Sequence, residues 1–153
     1  MWQDWIKAPP EALQNFWDLY QKYPNTFITC PVGKTDDWEN IRWDWRKAGE
    51  IREIKPIEWE ADFACVPLLA LRDIGGYDER FDEGWSWENV NLAQRAHVAG
   101  YKFIVAPGNT SMAFNHDKTE THPFRGKKEN GDLANNIFRN EISQNNWRLD
   151  YLS

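Results

Sequence analysis

Residues 74–106, IGGYDERFDEGWSWENVNLAQRAHVAGYKFIVA, decide how the chain is read. An acidic, glycine-bearing loop leads into a helix and then a strand. From Gly75 to Trp87 the loop holds three glycines, four carboxylates and two tryptophans. Glu88 and Asn89 stand where the helix begins. Val90, Leu92, Ala93, Ala96 and Val98 supply its apolar positions as far as Ala99, and Gly100 is placed to stop it. Tyr101 to Val105 is rich in β-formers, and Pro107-Gly108 closes it.

A polar loop crowded with indoles and carboxylates makes a poor core and a good carbohydrate site. Indole faces stack on the apolar faces of pyranose rings, and carboxylates accept hydrogen bonds from hydroxyls or act as bases. A second reading stays open: a helix with an acidic surface loop, since helix N-termini attract carboxylates in any case.

Outward from this stretch, 153 residues with 41% hydrophobic content suffice for one domain, 1–153, with its own core. Ten tryptophans exceed what such a core needs. Trp2, Trp5, Trp38, Trp43, Trp45, Trp85 and Trp87 all adjoin charged or polar residues, which points to partly exposed aromatic surface. A formal charge of -6 argues against nucleic acid as partner, because no basic stripe is available to neutralise phosphates. No apolar run reaches membrane-spanning length, and Met1-Trp2-Gln3-Asp4 does not open a signal peptide. Cys30 and Cys65 are isolated, so a reducing, cytoplasmic setting is expected.

In chain order, Pro9-Pro10 opens a helix from Glu11 to Lys22, with Ala12, Leu13, Phe16, Trp17 and Tyr20 on one face. Thr26 to Cys30 reads as a buried strand, and Pro31 to Asp37 as a loop. The pattern over Asp37 to Lys47 suggests a helix with Trp38, Ile41 and Trp45 on one side. Glu50 to Lys55 reads as an edge strand. Glu58 to Cys65 alternates at strand period, with Trp59, Ala61 and Phe63 on one face and Glu58, Glu60 and Asp62 on the other. Pro67 to Asp73 is a short apolar helix ended by Gly75-Gly76. His97 falls mid-helix, His116 and His122 in a later loop, and residues 131–147 read as a closing helix. Alternating elements give an α/β class with a mixed sheet flanked by helices. No glycine-rich strand-to-helix turn for a nucleotide phosphate is present.

The central motifs resemble the C-terminal half of glycosyltransferases with the GT-A fold. The similarity is to family 2 enzymes and to galactosyl- and N-acetylgalactosaminyltransferases. Those proteins carry a GG(F/Y)DE turn, a W-G-G-E-(D/N) acceptor loop opening a helix, an R…G helix end and a later metal-binding histidine. The corresponding residues are Gly75-Gly76-Tyr77-Asp78-Glu79, Trp85-Ser86-Trp87-Glu88-Asn89, Arg95 with Gly100, and His116, 28 residues after Glu88. The resemblance covers about Trp59 to Lys118. Asp4, followed by PPEALQNFW, looks like the end of the Asp-x-Asp-type metal motif.

The resemblance implies an acceptor-side portion of such an enzyme, with the nucleotide-binding half largely absent. It implies transfer of a hexose or N-acetylhexosamine from a nucleotide diphosphate sugar to a carbohydrate or other hydroxyl acceptor. Mn²⁺ or Mg²⁺, held by Asp4 and His116, would neutralise the departing diphosphate. Glu88 and Asn89 take the catalytic positions, and Trp85, Trp87, Gly84 and Glu79 the acceptor-binding ones. Asp78, Glu79, Asp82 and Glu83 otherwise read as a solvated acidic turn. Asn89 stands where inverting members have the Asp base, and Trp-Ser-Trp replaces Trp-Gly-Gly, so the base and the anomeric outcome stay open. The rival reading is a non-catalytic carbohydrate-binding module, or one dependent on a separate nucleotide-binding chain, with self-association through an open side. A metal-dependent hydrolase is weaker, for want of a second ligand cluster.

Overall fold

The computed structural model describes residues 6–81 and 87–114, together with Asp132 and Asn136. Two four-stranded mixed sheets carry the fold. The strands are β1 (Ile6–Lys7), β2 (Thr26–Thr29), β3 (Val32–Thr35), β4 (Arg42–Trp43), β5 (Arg52–Glu53), β6 (Ala64–Cys65), β7 (Lys102–Val105) and β8 (Ser111–Phe114). The first sheet runs β5-β7-β2-β6 and the second β1-β8-β3-β4. Each has a parallel pair in the middle, β2 with β7 and β3 with β8, and antiparallel strands at both edges. The sheets are joined where β2 passes into β3 and β7 into β8: Ala106 N donates to Thr29 O, and Ser111 N to Pro31 O.

Within residues 6–114, the described part of the chain packs α1 (Ala12–Lys22), α2 (Leu68–Asp73) and α3 (Glu88–Val98) against this framework. One core gathers Ala12 and Phe16 of α1 with Ile28, Val32, Ile104 and Ala113 of both sheets. A second lies on the other face of the first sheet, where Phe27 and Phe103 meet Ala70, Leu92, Ala93 and Ala96. Because successive strand side chains face opposite ways, Phe27 and Ile28 serve the two cores in turn. The continuous apolar run in β2 is thereby explained.

The coarse α/β expectation is met, while several local expectations need correction. Pro31 to Asp37 is not a loop, since β3 occupies Val32–Thr35 at the centre of the second sheet. No helix spans Asp37 to Lys47. The segment contains β4 and a 3-10 turn at Trp45–Lys47, started by Asp44, whose side chain accepts from Arg46 N. Over Glu58 to Cys65 the burial alternates as expected, with Trp59, Ala61 and Phe63 all inside. Yet β6 is confined to Ala64–Cys65. A 3-10 turn takes Pro56–Glu58, and the Glu60 carbonyl accepts from the Thr29 hydroxyl at 2.8 Å.

The apolar stripe of α1 is narrower than its pattern implies, for Leu13 and Trp17 are 67% and 57% exposed. Val98 is likewise exposed at the end of α3. The edge strand within Glu50–Lys55 is β5, and α2 stands where its pattern placed it. Of the closing helix expected over 131–147, Asp132 and Asn136 are described, and both are helical. No helix among the described residues is long and apolar enough to cross a membrane. Cys30 and Cys65 are free. Burial pushes the Cys30 thiol up to about 12, so it acts as a neutral packing group.

Candidate functional site

Helix α2 ends on Gly75 and Gly76, both in the left-handed region at φ 77° and 70°. Two consecutive residues in that region favour glycine strongly. The turn sends Tyr77 back toward the start of α3, where its hydroxyl donates to Asn89 Oδ1 at 2.8 Å. Arg95, 3% exposed, fixes the same turn from the other side. Its guanidinium donates to Asn91 Oδ1 at 2.8 Å, to Gly76 O at 2.6 Å and to Ile74 O. The arginine of the quoted motif is therefore a buried strut between α3 and the double-glycine turn.

Asp78 is not part of a solvated acidic turn. Its side chain is fully buried, and Arg80 clamps it through Nε at 2.9 Å, Nη2 at 2.6 Å and its backbone N–H at 3.0 Å. Burial works to raise the carboxyl pKa, but the Arg80 side-chain and backbone bonds outweigh it and bring the group below the usual range. Glu79, one residue on, is exposed in the 3-10 turn Glu79–Phe81.

Glu88 opens α3, with the half-buried Trp87 as the residue before it. Trp87 has φ 75°, uncommon for a bulky side chain, and makes no side-chain cap. Its indole packs against the buried Phe81 along with Val90, so part of the expected acceptor platform is engaged inside the protein. Gly84, Trp85, Asp4 and His116 lie outside the described residues. Among the described residues, no group of three His, Cys, Asp or Glu side chains is placed to hold a metal ion.

The structure also gathers residues that the sequence pattern did not single out. Arg46, 3% exposed, donates through Nε and Nη2 to Asp44 Oδ2 at 3.0 and 2.6 Å, and through Nη1 to Thr29 Oγ1 at 2.9 Å. Asp62 Oδ2 lies 4.0 Å from the same guanidinium. Desolvation raises the Glu60 pKa; Arg46 opposes this, while Asp62, Asp44 and Glu88 add to it. Burial, then Glu88 and Asp62, raise the Tyr77 pKa, which keeps its hydroxyl a neutral donor to Asn89.

Tyr77 is thus bonded to Asn89, Asp62 lies by the buried Arg46, and the charge of Glu88 is felt by both Tyr77 and Glu60. An arrangement of this kind can accept hydrogen bonds from hydroxyls and exchange a proton. In the sequence, Glu60 and Asp62 look like the wet side of a strand, and Arg46 like a surface residue among polar neighbours. The nearest local signal was three acids alternating with three apolar residues beside an arginine-bearing, tryptophan-rich segment. Comparison with protein-family models, with curated proteins and with solved structures finds no match to this chain.

Proposed function

We propose that the chain is the acceptor-side portion of a glycosyltransferase of GT-A type, moving a hexose or N-acetylhexosamine from a nucleotide diphosphate sugar to a hydroxyl acceptor. One observation carries the reading. Glu88 and Asn89, the pair quoted from the motif, open α3 with Asn89 Oδ1 fixed by Tyr77, and with Glu88 close enough to raise the pKa values of Tyr77 and Glu60. Glu88 is then the group that orients the acceptor hydroxyl or takes its proton. Asn89, locked as an acceptor toward Tyr77, presents its amide N–H₂ to the substrate. Glu60, with its raised pKa, is a second proton carrier in the same space.

The divalent metal supplies charge neutralisation for the leaving diphosphate when bound. Asp4 and His116 are its proposed ligands. The expected outcome is that Glu88→Gln abolishes transfer while circular dichroism and the unfolding midpoint stay unchanged. Full activity in that variant would remove Glu88 from the mechanism.

A non-catalytic carbohydrate-binding module is the second reading. It is favoured by Asn89, whose amide cannot serve as a base where inverting relatives of the motif carry Asp. Calorimetric titration with UDP, with and without Mn²⁺, separates the two. Metal-dependent binding lost in Asp4→Ala and His116→Ala supports the transferase. A folded chain that binds no UDP supports the module.

A further inference from the structure

We infer that Arg46 is the positioning residue for Glu60 and Asp62, acting through the hydroxyl of Thr29; the use of Glu60 as a proton carrier rests on the transferase reading. Arg46 is buried in the 3-10 turn Trp45–Lys47. A guanidinium so enclosed must spend its donors on fixed partners. Nε and Nη2 hold Asp44 Oδ2 side-on at 3.0 and 2.6 Å. Asp44 also accepts from Arg46 N through Oδ1 at 3.0 Å and from Val32 N through Oδ2 at 3.2 Å. The guanidinium is therefore pinned where β2 gives way to β3.

Nη1 donates to Thr29 Oγ1 at 2.9 Å, and this bond decides how the hydroxyl is used. An oxygen that accepts from arginine still has its own proton to give, and Thr29 gives it to Glu60 O at 2.8 Å. Thr29 is fully buried at the end of β2, so the middle of this relay is shielded from solvent. One residue on, Cys30 N donates to Phe63 O at 2.9 Å. The segment from Glu60 to Phe63 is thus tied to the end of β2 at both its ends. Ala61 and Phe63 are buried, which leaves Asp62 on the outer side, its Oδ2 4.0 Å from Arg46 Nη2.

The relay fixes where the Glu60 backbone stands, and the charge of Arg46 then bears on its carboxyl group. Burial raises the Glu60 pKa; Arg46 opposes this, while Asp62 of the same segment, Asp44 of the turn and Glu88 of α3 add to it. Arg46 is the cation of that set, so its loss should push Glu60 higher still. A buried ion pair adds little net stability over an apolar filling of the same space, whereas its directed bonds fix the neighbours it touches. Arg46 and Thr29 therefore do for Glu60 what Arg95 does for the double-glycine turn.

The test is a carbon-detected NMR titration of the folded chain that follows the Glu60 carboxyl midpoint and the Glu60 carbonyl resonance. Arg46→Met is expected to shift the midpoint upward and to move the carbonyl resonance toward its unbonded position. Thr29→Val, similar in shape, is expected to move the carbonyl resonance in the same way with Arg46 retained. Arg72→Met, at an exposed position on α2, should change neither. The inference is overturned if Arg46→Met folds and leaves the Glu60 midpoint in place, or if Thr29→Val leaves the carbonyl resonance in place. Should Arg46→Met fail to fold, Thr29→Val alone decides. Neither signal needs donor, acceptor or transfer, so a failure here leaves the Glu88→Gln test standing, and an active Glu88→Gln variant leaves the relay untouched.

Discussion

Both sheets put a parallel pair in the middle and antiparallel strands at the edges, yet they are covered differently. In the first, β2 and β7 are enclosed by α1 on one face and by α2 and α3 on the other. In the second, β3 and β8 have α1 on one face and an aromatic surface on the other. Stability and display are thereby separated. The doubly covered sheet anchors the turn and helix that carry Glu88, while the second carries the half-exposed Trp43 on its other face.

Truncations give the largest expected effect and test that contrast directly. Phe27 is fully buried, edge-on to Trp59 at 5.5 Å and tilted on Phe103 at 5.0 Å. Phe27→Ala should cost about 3–5 kcal/mol in urea unfolding, and Ile6→Ala in the second sheet about 2 kcal/mol. Equal costs would mean that the second sheet is as deeply committed to the core as the first.

Arg95→Met comes next. It strips donors from the Ile74 and Gly76 carbonyls and from Asn91, with an expected loss of about 2–4 kcal/mol. Amide exchange should rise at Gly76 and Tyr77, while Gly33 between β4 and β8 stays protected. Unchanged exchange at the turn would show that the strut holds nothing in place.

The smallest effect is a pH dependence. Glu60 has a raised folded pKa, so between the ordinary carboxylate range and that value the folded chain keeps a proton the unfolded chain has released. Stability therefore falls as pH rises through that window. Glu60→Gln removes the loss and should stabilise the chain at pH 7 by less than about 1 kcal/mol, because the residue is exposed and solvent screens its interactions. The gain should vanish below about pH 4. A gain that persists there would place its origin outside the titration.

The same contrast explains what the sequence made legible. In β2, Phe27 and Ile28 must both be apolar, and that run announces a buried strand. In β3, Val-Gly-Lys-Thr needs an apolar residue on one face and space on the other, which is also how a loop reads. The helical spacing of Trp38, Ile41 and Trp45 is divided instead among a turn, the approach to β4 and a 3-10 turn. Near the site, the placement of Glu88 and Asn89 at the head of α3 was legible from Gly-rich punctuation and helix periodicity. The roles of Arg46, Glu60 and Asp62 were not, because they depend on contacts between segments far apart in sequence.

The parallel pairing also governs the order in which the chain can assemble. Thr26 awaits Lys102, and Val32 awaits Ser111, before either sheet has its centre. Contacts of such long sequence separation make for slow folding, with the loop-closure entropy met before the pairing rewards it. During synthesis β2 can find β6, and β3 can find β4, while the side of each strand reserved for β7 or β8 stays open. A chain halted before Lys102 would expose two adjacent unpaired edges, one of them strongly apolar, and edges of that kind recruit other chains.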